Sequence, residues 1–171
     1  MQLDIQQFEL KLKQTFTTSH GSVDKRDSFI VSITEDGFTG LGECVVIKYY
    51  QKSIDHFTSE LQNAKKYLMN DSLDVNDQLA NTLIEVVPDR FILCALDLAI
   101  HDLIAKKEGC SIRSRLGLPF NCSTSSTLTI GICEVEEALS FIKKNPWPIY
   151  KVKLGTDKDI AVIEAINKPL R

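Results

Sequence analysis

The stretch from Pro88 to Gly109 constrains the fold most. Phe91, Ile92, Ala95, Leu96, Ala99, Ile100, Leu103 and Ile104 recur at helical spacing and cover a wide face. A helix with that much apolar surface must be buried between layers. Pro88 suits the first helical position and Gly109 the C-terminal cap. The other layer is predicted upstream. Leu3 and Ile5, then Phe8, Leu10 and Leu12, alternate as a half-buried strand, with a bulge expected where the phase shifts at Gln6-Gln7. Ser28 to Thr34 is a second strand with Phe29, Val31 and Ile33 on one face. Asp36-Gly37 signals a hairpin, and Phe38 to Cys44 is the return strand. Its glycines, Gly40 and Gly42, predict close approach by another backbone. Residues 14–27 are polar, contain Gly21, and read as a long loop.

Two more helices follow from helical spacing. One carries Ile54, Phe57, Leu61, Ala64 and Leu68, the other Val75, Leu79, Leu83 and Val86. Residues 1–122 therefore read as an α+β domain, a three-stranded antiparallel meander plus a helical bundle. The pattern changes near Asn121. Ser/Thr-rich residues 123–127 form a linker, followed by a strand (Leu128 to Cys133), a helix (Glu134 to Lys144), a strand (Ile149 to Leu154) and a helix (Asp157 to Lys168). That β-α-β-α order belongs to parallel sheets with helical crossovers.

Composition narrows the function. A net charge of -3, from 20 basic and 23 acidic residues, gives no electrostatic footprint for nucleic acid or an anionic membrane. No stretch approaches the ~20 apolar residues that span a bilayer. The start, MQLDIQQFELKLK, alternates instead of running apolar as a signal peptide does. The cysteines, Cys44, Cys94, Cys110, Cys122 and Cys133, are odd in number and form no C-x-x-C pair, against a disulfide framework or a zinc site. A soluble, reduced, cytoplasmic protein is expected.

The strand ending at Gly155 carries the chemistry. Strand periodicity places Lys151 and Lys153 on one face and Tyr150, Val152 and Leu154 on the other. Two ammonium groups held in a closed site repel, which makes one easier to deprotonate and able to act as a base toward a carbon acid. From the tripeptide alone, a solvated strand face with two surface lysines is the commoner reading. His101-Asp102 looks like a dyad only in sequence, because adjacent helix positions do not face each other. Glu43, after the glycine hairpin, is read as a loop anchor rather than a catalytic group.

The order of these pieces resembles the muconate-lactonizing branch of the enolase superfamily. GFTGLGEC (Gly37–Cys44) is similar to its glycine hairpin, and ALDLAIHDLIAKKEGCSIRSRLGLP (Ala95–Pro119) to its long capping helix and the turn after it. LTIGI (Leu128–Ile132) resembles the first barrel strand and YKVKLG (Tyr150–Gly155) the second. The resemblance implies a capping domain over residues 1–122, then residues 123–171 as the first two βα units of an incomplete TIM (β/α) barrel. It implies Lys153 as general acid/base at a substrate α-carbon and Lys151 as its orienting and charge-stabilising neighbour. It implies Mg2+ in the complete enzyme, held by carboxylates on the third, fourth and fifth strands, with a second lysine on the sixth. All of these would lie beyond Asn167-Lys168-Pro169-Leu170-Arg171, so no metal ligand is expected in this chain and the chain alone is expected to be inactive.

Specificity in the family comes from two capping-domain loops, matched here by residues 16–27 and Val45–Lys52. FTTSHGS is similar to the first loop of dipeptide epimerases. Substrate-binding candidates are therefore His20, Gly21 (aligned where some dipeptide epimerases carry an arginine), Tyr49, Tyr50 and Thr129. The implied function is a magnesium-dependent dipeptide epimerase. The alternatives are a cycloisomerase or o-succinylbenzoate synthase-type enzyme of the same superfamily, or a non-catalytic capping fragment that needs a partner chain. Expected partners are a dipeptide or other carboxylate substrate, and either further copies of the chain or a chain completing the barrel.

Overall fold

In the computed structural model, residues 1–69, 75–119 and 124–167 are described. The chain forms two compact units, one from Met1–Leu10 and Lys25–Cys122, the other from Lys11–Asp24 and Ser123–Arg171. The expected domain boundary at 122/123, Cys122 and the lead toward a third strand at 168–171 lie outside the described residues.

Three strands, β1 (Gln2–Thr18), β2 (Gly21–Glu35) and β3 (Phe38–Val45), form a sheet in that order. β2 and β3 pair antiparallel from Ser28↔Val45 to Glu35↔Phe38. Asp36 and Gly37 both take positive φ, 52° and 81°, as a two-residue hairpin turn requires. The polar stretch 14–27 is not a loop. β1 runs to Thr18, turns at Ser19-His20, and β2 starts at Gly21, which supplies the turn's positive φ of 116°. Threonines suit a pleated strand, and Phe16 and Val23 alone give too little apolar alternation to read as one. Phe8 and Leu10 of β1 are exposed rather than half-buried.

Helices α1 (Ile54–Leu68), α2 (Asp77–Val86), α3 (Arg90–Lys107) and the short α4 (Ile112–Arg115) complete the first unit. Ser53 caps α1 by accepting from the His56 amide, and Asn76 caps α2. In α2, Leu79 and Leu83 are buried as predicted, but Val86 is exposed and Val87 takes the buried position. Pro88 does not open α3. Asp89 caps it, accepting from the amides of Phe91 and Ile92, and Pro88 precedes the cap. A carboxylate satisfies two amides there that a proline would leave unbonded.

Along α3, Ile92, Ala95, Leu96, Ala99, Ile100 and Leu103 are fully buried against Phe29, Val31 and Ile33 of the sheet and Phe57 and Leu61 of α1. β3 lies against α3 at backbone contact. A Cβ added to Gly40 would sit 1.9 Å from the Ala99 carbonyl oxygen, and one on Gly42 would sit 1.8 Å from that of Ala95. The open edge of β3 is bonded by the same helix. The Leu41 amide donates to Asp102 at 2.9 Å, and Lys106 Nζ donates to the Thr39 carbonyl at 2.7 Å. α3 ends as the sequence predicts. Gly109 (φ 67°) donates to Lys106 and Cys110 donates to Ala105, the paired bonds that close a helix C-terminus.

In the second unit, β4 (Leu128–Ile130) and β5 (Tyr150–Val152) pair in parallel, Leu128↔Tyr150 to Ile130↔Val152. Both strands are shorter than predicted, and Cys133 and Leu154 lie outside them. α5 (Val135–Lys144) starts with a reciprocal capping box between Glu134 and Glu137, and α6 (Asp159–Asn167) follows β5. Ile130, Ala138, Val162 and Ile166 form the core of this unit, with Phe141, Ile142, Tyr150 and Val152 packed on it. Before β5, the Trp147 indole donates to the Ser126 carbonyl at 2.8 Å and the Tyr150 hydroxyl donates to Asn145 at 2.6 Å. Among the described residues no helix is long and apolar enough to cross a membrane.

Candidate active site

The parallel pair sets the geometry. Ile130, Tyr150 and Val152 face the core shared with α5 and α6. Side chains alternate along strands, so Thr129 and Lys151, partners in the register, take the opposite face together. Lys153 extends that row. Its amide donates to the Ile130 carbonyl at 2.9 Å, so the ladder continues past Val152 and alternation returns Lys153 to the face of Lys151. Lys151 is exposed and Lys153 half-buried.

The tip of the β1–β2 hairpin sits at the C-terminal ends of these two strands, within the same unit. The Ile132 amide donates to the Thr17 carbonyl at 2.9 Å. Two glycines make room for the tip. A Cβ on Gly131 would meet the Thr17 oxygen at 3.2 Å, and one on Gly155 would meet Ser19 Cβ at 2.8 Å. The Gly155–Thr156 turn is pinned by Asp159, which accepts from the Gly155 amide at 2.8 Å, the Thr156 amide at 3.0 Å and the Thr156 hydroxyl. The Thr156 amide, above all, holds the Asp159 carboxyl below the usual carboxylate range. His20 is exposed on the tip, its amide bonded to Thr18 Oγ1 at 3.2 Å, and the Gly21 carbonyl accepts from the same hydroxyl.

Thr129, Lys151 and Lys153 thus share one strand face, and the tip with His20 and Gly21 caps the ends of those strands. Tyr49 and Tyr50 belong to the other unit, in a 3-10 turn, Lys48–Tyr50. Their rings meet edge-on at 5.1 Å, and Tyr50 packs on Phe91 at 5.5 Å. Sequence reasoning missed Gly131 and Gly155. A glycine at each strand end was the available signal for close approach.

The apparent dyad separates. His101 Nε2 lies 3.5 Å from Asp97 and Nδ1 lies 3.3 Å from Arg115, whereas Asp102 holds Leu41 and Lys106. Glu43 accepts from the buried Ser28 hydroxyl at 2.6 Å, tying β3 to β2. Among the described residues no three or more His, Cys, Asp or Glu side chains gather to hold a metal ion.

The profile of the mandelate racemase / muconate lactonizing enzyme N-terminal domain matches residues 2–117. An L-Ala-D/L-amino acid epimerase of Maribacter sp. is 34% identical over 168 residues, which cover 98% of this chain and 50% of that protein. An L-Ala-D/L-Glu epimerase of Bacteroides thetaiotaomicron is 30% identical, over 94% of this chain and 42% of that protein. The crystal structure of a dipeptide epimerase from Methylococcus capsulatus, complexed with Mg and the dipeptide L-Arg-D-Lys, superposes with a TM-score of 0.84 at 26% identity, over 96% of this chain and 50% of that one. The chain spans about half the length of the curated relatives it matches.

Proposed function

We propose that this chain, which belongs to the mandelate racemase / muconate lactonizing enzyme family of the enolase superfamily, is the N-terminal part of a dipeptide epimerase. The observation that carries the reading is the row Thr129, Lys151 and Lys153 on one face of a parallel pair, under a hairpin tip at its C-terminal end. Barrel active sites collect at that end. The identity to epimerases of dipeptides, up to 34%, supports the substrate class.

In this reading Lys153 Nζ takes the proton from the α-carbon beside a carboxylate. The C–H electron pair moves into the carboxylate to give an ene-diolate. Lys151 opposes the developing negative charge and holds Lys153 in line. Return of a proton from the opposite face, by the second lysine that the resemblance implies, gives the epimer. His20, Gly21 and Thr129, in the same unit as the two lysines, contact the dipeptide. Bound to the complete protein, Mg2+ would supply further charge stabilisation to the ene-diolate.

The test is proton exchange at carbon. The complete protein, given L-Ala-L-Glu and Mg2+ in D2O, should incorporate deuterium at an α-carbon and form the epimer. No incorporation across a panel of dipeptides would refute the reading. The isolated chain should give none with or without Mg2+, and exchange by it alone would show that the site is complete here.

A further inference from the structure

Four donors converge on Asp89, whose side chain is only 2% exposed. Its two oxygens divide the work. Oδ1 accepts from the amides of Phe91 (2.9 Å) and Ile92 (3.4 Å), which is the cap of α3. Oδ2 takes no part in the cap. It accepts from Lys52 Nζ at 2.6 Å and His56 Nε2 at 2.8 Å. Capping needs only the first oxygen, as asparagine caps show, so the ion pair serves something else.

Its place in the chain indicates what. Lys52 ends the segment that carries Tyr49 and Tyr50, and its ammonium lies 5.9 Å from the centre of the Phe91 ring on which Tyr50 packs. Between them Gln51 is left-handed (φ 57°), a conformation disfavoured for a residue with a Cβ. The turn is closed by the Tyr50 amide to Ile47 at 3.0 Å and the Gln51 amide to Lys48 at 2.8 Å. A short turn with a strained residue and exposed rings needs an external tie. The buried carboxylate is one, and leaving it unpaired would be costly, so Lys52 is held firmly.

We propose that Asp89, through Lys52, is the tether that fixes the Lys48–Lys52 turn and with it the exposed rings of Tyr49 and Tyr50. Asp89→Asn separates the two duties, because asparagine keeps the cap but lacks the charge that holds Lys52 and His56. In the complete protein, hydrogen exchange at the Tyr50 and Gln51 amides should quicken about 10- to 100-fold. Exchange at the Leu41 amide, bonded to Asp102, should stay unchanged. Lys52→Met should act like Asp89→Asn, and Lys52→Arg should restore slow exchange. Unchanged exchange at Tyr50 and Gln51 in both variants would overturn the tie.

Discussion

Replacing Gly42 by alanine should displace a helix. The new Cβ would lie 1.8 Å from the Ala95 carbonyl oxygen, 2.8 Å from its carbon and 3.1 Å from the Ala99 nitrogen. All three are backbone atoms of α3, so no rotamer relieves the clash. Reaching an ordinary separation of about 3.0 Å takes a shift of about 1.2 Å between β3 and α3. Overpacking of this kind costs about 1–3 kcal/mol, and a clash with backbone belongs at the upper end. The chain entropy lost from the unfolded state with glycine returns only about 0.4–1 kcal/mol. A net loss of about 2 kcal/mol lowers the melting temperature of a chain this size by about 4–8 °C. Thermal unfolding followed by circular dichroism measures it. The double variant with Gly40→Ala gives a sharper check, because one movement of α3 relieves both clashes. Its cost should fall short of the sum of the two single costs by at least about 0.5 kcal/mol. A melting temperature within about 1 °C of the parent for Gly42→Ala would refute the reasoning.

Lys153→Ala in the complete protein should cut epimerisation about a hundred- to ten-thousand-fold while leaving the melting temperature unchanged, read by deuterium incorporation and thermal unfolding. Burial pushes the Asp89 carboxyl up, but Lys52, His56 and two α3 amides outweigh it and hold it below the usual carboxylate range. Its contribution to stability is therefore present above the unfolded value near pH ~3.9 and lost as pH falls through the folded value, so melting temperature should drop between pH 5 and 2 less steeply for Asp89→Asn than for the parent. Burial, with the charges of Asp89 and Glu43, pushes the Cys44 thiol up to about 12, so iodoacetamide at pH 8 should label exposed Cys94 and spare Cys44 until the chain unfolds, as peptide mass spectrometry would show. Gly37 sits at positive φ with open space around it, so Gly37→Asn should be nearly neutral in thermal unfolding where Gly42→Asn is not.

The sequence made α3 and its glycine-lined strand legible because two independent signals agree. A wide apolar helix face needs a close partner, and Gly40 and Gly42 offer one. The Asp36-Gly37 turn and the Gly109 cap were legible for a similar reason, since their backbone conformations admit few residue types. The hairpin tip was not. Among Thr15, Thr17 and Thr18 a lone Phe16 is too little to mark a buried face, and the tip is held by Ile132 and the ends of β4 and β5, far along the chain. Pro88 and Asp89 competed for the start of α3. Counting amides to be satisfied favours the aspartate, and that count would have shown the cap without a structure. At the candidate site, alternation alone placed Lys151 and Lys153 on one face, and only the β4–β5 register added Thr129 to it.

The hairpin tip also sets the order in which this chain can fold. Thr17 leaves the ribosome about a hundred residues before Ile132, the partner of its carbonyl, so the closing loop is long and the contact forms late. Until then the end of the β1–β2 hairpin lacks the partners that Gly131 and Ile132 supply. Dissection follows the same logic. A fragment beginning at Ser123 would leave Gly131 and Gly155 bare, because the residues that cover them travel with the other end of the chain. Any attempt to transplant the strand ends that bear Lys151 and Lys153 into another scaffold must therefore carry residues 11–24 as well.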